Sequence, residues 1–286
     1  MKNRNVPYYI INLIFLVLTV FFINYTDIIN MQLLPMQIVA LIFICVCIHF
    51  VKFVRIYFIL LEEKISFKRM LKIYIKTAFV SIVFPFKIGE IFKIYSYGEE
   101  IDNYPKGIIS VVIDKLFDAI VLCAVLIPYE LTNGGKISIL VVVMLIFIVI
   151  ILAAAFAFEG TYYYLNKFFI INGKSKKSIY ALSMIEKVKN VYENAKNMLR
   201  GRILILLGLT IISWLMETGF LYVISNFMNI NIQLGDAVNY INDAFLGVSN
   251  VLFNKYVYIC AVMFLAIIIL IYAKKIIAGG KKIWEK

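Results

Sequence analysis

Apolar residues occur along this chain in uninterrupted stretches that are long enough to cross a bilayer. A membrane-spanning helix needs about 20 mostly apolar residues. The pattern therefore predicts an all-α integral membrane protein, with about six transmembrane helices in a single polytopic domain over residues 1–286. The six stretches are approximately 8–25, 35–61, 107–128, 137–158, 203–226 and 256–273.

Two further apolar stretches are too short or too interrupted to be simple spans. They cover residues 77–97 and 238–254. Non-helical backbone is tolerated at membrane depth only where protein or water satisfies its polar groups. Both stretches are therefore predicted to be re-entrant or broken helices. A weak sequence similarity between residues 78–83 and 244–251 suits a pair of inverted repeats.

The distribution of charge supports this arrangement. Only 16% of the residues are charged, yet the net charge is +12. Basic residues cluster at the N-terminus, in 62–76, in 159–202 and in the tail, whereas the loops 26–34, 129–136 and 227–237 hold only Lys136. Under the positive-inside rule this predicts a protein of the cytoplasmic membrane with both termini in the cytoplasm. A nucleic-acid partner is excluded, because such binders place basic residues on a polar folded surface.

The basic loop 159–202 is predicted to contain an amphipathic helix over about 177–199. Its lysines alternate with an apolar stripe at helical spacing. Such a helix lies on an anionic leaflet or forms an ordinary solvated loop helix, and the sequence leaves both open. The stripe consists of Ile179, Leu182, Ile185, Val188, Tyr192 and Leu199.

Some charged residues fall within the apolar stretches. An ionisable group at membrane depth costs roughly 2.5–3.5 kcal/mol or more. His49, Lys52 and Arg55 recur every three residues and share one helix face. Lys52 and Arg55 are expected to extend to the cytoplasmic interface. His49 lies one turn deeper and is expected to be a hydrogen-bonded packing residue.

The segment 84–93 combines a helix breaker with a row of charges. Pro85 interrupts the apolar run and suits the first position of a new helix. Lys87, Glu90 and Lys93 then follow along one face. A short helix starting inside the membrane would direct its N–H groups at an anion such as a phosphate. The alternative is an interfacial helix with a salt bridge.

Three carboxylates in apolar surroundings are further candidates. Asp114 and Asp118 are four residues apart, so they share a helix face and need a cation. We expect Lys87 or Lys93 to supply it, unless the two carboxylates lie solvated at headgroup level. Glu217 is the deepest isolated charge, and its partner cannot be named from sequence.

These motifs carry a family resemblance. Pro85-x-Lys87-x-Gly89-Glu90-x-x-Lys93, followed by Asp114-Lys115-x-x-Asp118, resembles the membrane domain of lysylphosphatidylglycerol synthase/flippase proteins. Here lysines replace the arginines of the family motif, and the Pro-Gly-Gly loop of its second half is missing. The resemblance implies a stand-alone membrane module without the synthase domain. It also implies a headgroup path lined by Lys87, Glu90, Lys93, Asp114, Lys115 and Asp118.

The expected function is that of a flippase-like translocase for phospholipids or lipid-linked headgroups, with anionic membrane lipids as partners. Two alternatives stay open. One is a non-catalytic partner of an envelope lipid- or polysaccharide-synthesis enzyme, and the other is a proton-coupled small-molecule transporter that uses Glu217. An enzyme is not expected, because the single histidine, His49, leaves no Ser/His/Asp set. No metal-ligand spacing and no cofactor motif occur either.

Overall fold

The computed structural model describes residues 10, 13–15, 17–18, 20, 33–83, 88–133, 137–172, 176–231, 233–246 and 251–284. These residues form helices joined by short turns, and no strand occurs among them. The helices are α1 (Pro35–Ile59), α2 (Phe67–Val83), α3 (Ile88–Ile101), α4 (Tyr104–Asn133), α5 (Ile139–Asn172), α6 (Lys176–Leu199), α7 (Ile203–Phe227), α8 (Leu234–Leu246) and α9 (Val251–Trp284).

Long apolar helices account for most of the predicted spans. Within the described residues, α1, α7 and the Ile139–Ile171 part of α5 are long and apolar enough to cross a membrane, and Lys255–Ile271 in α9 is a shorter apolar helix. The stretch 107–128 lies inside α4. The described residues of 8–25 are helical as well. The all-helical membrane fold is confirmed, while the number of crossings stays a prediction.

Local capping explains where α3 ends and α4 begins. Asp102 has a φ of 61°, in the left-handed region that commonly terminates helices. Asn103 follows, and its side-chain oxygen accepts a hydrogen bond from the backbone N–H of Lys106 at 3.1 Å. This is the usual role of an N-cap asparagine, which satisfies an N–H that has no partner within the helix.

The chain divides into two compact units. The first consists of residues 1–53, 66–96 and 212–286, and α2 packs along α9 within it. His49 is buried there, as expected. Its Nδ1 lies 3.1 Å from the hydroxyl of Tyr74, and its ring makes an edge contact with Phe264. The second unit consists of residues 54–65 and 97–211, in which α4, α5 and α6 pack against one another.

The interrupted stretch 77–97 reverses direction. Helix α2 ends at Val83 and α3 begins at Ile88. A Cβ at Gly89 would overlap the Cα of Ser81, eight residues earlier, so the two backbones touch. One continuous helix would hold residues eight apart at about 12 Å, so the chain doubles back. Pro85 and Lys87 lie outside the described residues, and re-entry into the membrane stays a prediction.

The second interrupted stretch, 238–254, is also divided between two helices. Helix α8 ends at Leu246 and α9 begins at Val251, with residues 247–250 outside the described part. The two helices contact each other. The ring of Tyr240 lies edge-on to Tyr256 at 6.1 Å between centroids. The inverted-repeat interpretation stays a prediction.

The region 159–202 differs from the predicted loop. Helix α5 continues to Asn172, beyond the expected end at 158, and α6 coincides with the helix predicted over 177–199. The two helices run antiparallel: Phe158 stacks on Tyr192 at 4.4 Å, and Lys189 lies over the ring of Tyr162. Beyond residue 158, α5 stays in contact with α6 through Glu159, which accepts a hydrogen bond from Lys196, and through the ring of Tyr162 beneath Lys189.

Candidate functional site

The most deeply buried cation among the described residues is Arg55, in the second unit. Its side chain is 3% exposed. One terminal nitrogen lies 2.5 Å from Asp114 Oδ1, and the other donates to Asp118 Oδ1 at 2.7 Å. The second of these nitrogens also donates to the hydroxyl of Thr210 at 3.0 Å. A guanidinium is suited to this arrangement, because its planar fork can engage two carboxylates at once.

This Arg55 cluster corrects two expectations. Arg55 does not extend to the interface, since its charge is compensated inside the protein. Lys93 is not the cation that holds the aspartates, and Lys87 lies outside the described residues. Asp114 and Asp118 are themselves buried rather than solvated. Lys115 is only a peripheral member, with its Nζ 3.9 Å from Asp118 Oδ2.

A second ion pair lies in the first unit and supplies the partner of Glu217. Lys52 Nζ donates to Glu217 Oε2 at 2.5 Å, and the hydroxyl of Tyr240 donates to Glu217 Oε1 at 2.7 Å. The Glu217 side chain is 5% exposed, whereas that of Lys52 is 26% exposed. Lys52 also lies 5.9 Å above the ring of Trp214. Lys52 is therefore paired inside the protein while partly exposed, and its extension to the interface stays a prediction.

The motif residues of α3 form a third group, also in the first unit. Lys93 Nζ donates to Glu90 Oε1 at 3.1 Å, and Ser81 Oγ donates to the same oxygen at 3.0 Å. The two charged side chains are mostly buried, at 14% for Lys93 and 19% for Glu90. The backbone contact at Gly89 brings Ser81 within reach of Glu90. Lys87 and Pro85 lie outside the described residues.

Comparison with known proteins gives this arrangement its context. The family model described as "Lysylphosphatidylglycerol synthase TM region" matches residues 9–270. The chain belongs to this family. No curated protein and no solved structure matches it. The lysylphosphatidylglycerol synthase TM region is a membrane module associated with lipids, so the membrane character inferred from the apolar helices is confirmed.

Membership of the lysylphosphatidylglycerol synthase TM region family gives Gly89 of the family motif a physical meaning. We expect Gly89→Ala to lower the free energy of unfolding by about 1–3 kcal/mol, the usual effect of forcing extra atoms into a packed site. The neighbouring atoms include the Ser81 backbone, which cannot rotate away. Thermal unfolding of the detergent-purified protein measures this loss.

The matched control is Gly160→Ala, in the middle of α5. No atom lies within 4 Å of a Cβ at that position. Alanine is favoured over glycine in a helix by about 0.5–1 kcal/mol, so Gly160→Ala should be neutral or stabilising. Equal behaviour of the two variants would show that α2 and α3 do not meet at Gly89.

Several residues that build these groups are not predicted from the sequence. It predicts interfacial positions for Arg55 and Lys52, and it does not single out Tyr240, Thr210 or Ser81 as site residues. The charges within the apolar stretches do give one indication of these pairs. A buried carboxylate such as Glu217 requires a cation. The only cations inside the long apolar stretch 35–61 are Lys52 and Arg55.

Proposed function

We propose that the protein is a translocase that moves phospholipids or lipid-linked headgroups between the leaflets of the cytoplasmic membrane. In this proposal it acts without catalysing a covalent reaction, and both termini lie in the cytoplasm, as the basic loops favour. Membership of the lysylphosphatidylglycerol synthase TM region family supports a lipid-related role. The finer assignment is supported by the charged groups of the first unit.

The proposal rests on the difference in solvent exposure between the two side chains of the Lys52–Glu217 pair. Glu217 is buried and is held by two donors, whereas about a quarter of the Lys52 side chain is accessible. An ammonium has three donor hydrogens, and Glu217 accepts one from Lys52. Lys52 can therefore bind a phosphate oxygen while it remains attached to Glu217, which positions it.

The Glu90–Lys93 pair supplies a second lysine held by a carboxylate in the same unit, with 14% of the Lys93 side chain exposed. Ser81 donates to the same carboxylate oxygen as Lys93, so Glu90 keeps a donor if the ammonium of Lys93 turns toward an incoming anion. We propose Lys52, Lys93 and Lys87 as contacts for a headgroup phosphate, with Glu217 and Glu90 as positioning residues.

We assign the Arg55 cluster a structural role rather than a place in the headgroup path. Asp114 and Asp118 face the guanidinium, and Thr210 accepts another of its N–H groups. A headgroup could bind there only by displacing a carboxylate from a buried guanidinium. Lys115, whose side chain is 32% exposed, is the accessible cation of that cluster.

Lipid movement by the reconstituted protein tests the proposal. Proteoliposomes containing fluorescent phosphatidylglycerol would report the initial rate at which probe becomes inaccessible to an impermeant quencher. We expect Lys52→Gln and the Glu90→Gln/Lys93→Ala pair each to lower this rate about tenfold or more. A hydrogen bond to a charged group contributes about 1.5–3 kcal/mol, and 1.4 kcal/mol corresponds to tenfold.

The matched control is Lys68→Gln, which removes an exposed lysine of α2 that belongs to none of the three groups. It should leave the rate unchanged. If the wild type moves no lipid above the level of protein-free vesicles, or if all the variants equal the wild type, the protein is not a translocase of this lipid.

A non-catalytic partner of an envelope-synthesis enzyme is the second candidate. It is favoured by the Glu90–Lys93 pair, because the two side chains bind each other and are mostly buried. A scaffold requires such groups only for packing. It predicts that the lysine variants change thermal stability and leave lipid movement at background in every protein.

A further inference from the structure

The α5–α6 hairpin is longer than a membrane crossing requires. Helix α5 has 34 residues, which is about 51 Å of helix at 1.5 Å per residue, against a hydrocarbon core of about 30 Å. Residues 139–158 suffice to cross it. The remainder of α5 and α6 form an antiparallel arm, and residues 173–175 lie outside the described part.

Contacts along the two helices fix this pairing. Phe158 stacks on Tyr192, Glu159 accepts a hydrogen bond from Lys196 at 3.0 Å, and Lys189 lies 5.0 Å from the ring centroid of Tyr162. The Glu159–Lys196 ion pair raises the pKa of Lys196 above its usual value, which keeps this lysine charged. The tip of this hairpin is here the described residues 168–172 and 176–184.

The hairpin tip is apolar on its outside. Six large side chains are between 43% and 68% exposed there. Moving such side chains from water to an apolar environment is favourable, because apolar surface is removed from water. The six are Phe168, Ile170, Ile171, Ile179, Tyr180 and Met184.

The exposed surface leading to the tip is equally apolar and aromatic. Phe156, Tyr163 and Tyr164 are all exposed along α5 between the spanning part and the tip. Exposed apolar and aromatic side chains therefore extend from the span to the tip. A helix longer than the hydrocarbon is thick accommodates by tilting, and tyrosines favour headgroup depth.

The charge of the hairpin identifies its ligand. Residues 159–202 contain nine lysines and arginines against three glutamates. This excess opposes pairing with a second copy and favours an anionic surface. Lys167 and Lys187 are exposed beside the apolar side chains. Exposed apolar residues flanked by lysines are typical of segments that lie in the bilayer interface.

We propose that the α5–α6 hairpin binds an anionic lipid leaflet, with the apolar side chains of its tip among the acyl chains and its lysines at the headgroup phosphates. The hairpin is then a surface anchor that holds α5 tilted. This role does not depend on lipid movement, so it stands or falls separately from the proposed translocase activity.

Fluorescence quenching at single labelled cysteines tests the proposal. The four native cysteines would be replaced by alanine, and a label attached through Ile171→Cys, Tyr180→Cys or the exposed, polar-face control Asn190→Cys. The protein would be reconstituted in phosphatidylcholine alone or mixed with phosphatidylglycerol. Brominated lipids then report acyl-chain contact, and iodide reports water. Met184→Cys replaces Tyr180→Cys if the latter fails to fold.

In vesicles containing phosphatidylglycerol we expect brominated lipids to quench the labels at 171 and 180, and iodide to quench only the label at 190. Lys167→Gln and Lys187→Gln should each lower the equilibrium constant for insertion about fivefold, since a lysine near an anionic surface contributes about 1 kcal/mol.

Three results would overturn the proposal. Iodide quenching at 171 and 180 as strong as at 190 would place the tip in water. Shielding from iodide without quenching by brominated lipids would show a protein cover, such as a second copy. Equal lipid quenching with and without phosphatidylglycerol would refute the preference for an anionic leaflet.

Discussion

Arg55→Met is expected to lower the free energy of unfolding by about 3–5 kcal/mol, the usual result of removing one partner from a buried ion pair. The loss is large because Asp114 and Asp118 then remain as two buried carboxylates on one helix face. Like charges at that spacing repel, and neither carboxylate is solvent-exposed. Chemical denaturation of the purified protein in detergent measures the difference.

Two further variants separate charge from shape. Arg55→Lys keeps the charge, but a single ammonium cannot reproduce the forked contacts to Asp114, Asp118 and Thr210, so an intermediate loss is expected. The triple variant Arg55→Met/Asp114→Asn/Asp118→Asn removes the stranded charges and should recover more than half of the loss. If the triple variant is no more stable than Arg55→Met, the loss comes from packing and not from uncompensated charge.

The helices themselves follow from sequence because each depends on local information. An uninterrupted apolar run predicts α1 and α7 almost to the residue, and the stripe of α6 is visible at a spacing of three and four. The break before Ile88 is equally local, since a proline at position 85 ends an apolar run.

The ion pairs could not be predicted in the same way, because their partners are far apart in the chain. Arg55 and Asp118 are separated by 63 residues, and Lys52 and Glu217 by 165. A helix end rich in lysine or arginine suggests extension to the interface whenever the neighbouring helices are unknown. The presence of Asp114 and Asp118 opposite Arg55 reverses that inference, and only the packing of the helices reveals it.

The end of α5 illustrates a different limit of prediction from sequence. Glu159 is the first charged residue after a long apolar run, so the sequence predicts that a span ends there. In the structure its charge is compensated by Lys196, and the helix continues to Asn172. A charge that suits the end of a membrane span need not end the helix, and the lysine that pairs with Glu159 lies 37 residues away on the returning helix.

Replacing either partner of the Lys52–Glu217 pair is expected to cost a different amount of stability, which a simple salt bridge would not show. Lys52→Met leaves the buried carboxylate of Glu217 with the hydroxyl of Tyr240 as its remaining described donor, and we expect a loss of about 3–5 kcal/mol. Glu217→Gln keeps an acceptor for Tyr240. It leaves a lysine that is already partly accessible and lies over Trp214, so the expected loss is only about 1 kcal/mol.

Denaturation of both single variants and of the double variant Lys52→Met/Glu217→Gln completes this comparison. The double variant should be more stable than Lys52→Met alone, because it no longer contains a buried unpaired charge, and the coupling energy of the cycle gives the strength of the pair. Equal losses for the two single variants would show that Lys52 is as deeply buried as Glu217. The accessible ammonium on which the translocase proposal rests would then not exist, since only a partly exposed lysine tolerates the loss of its carboxylate.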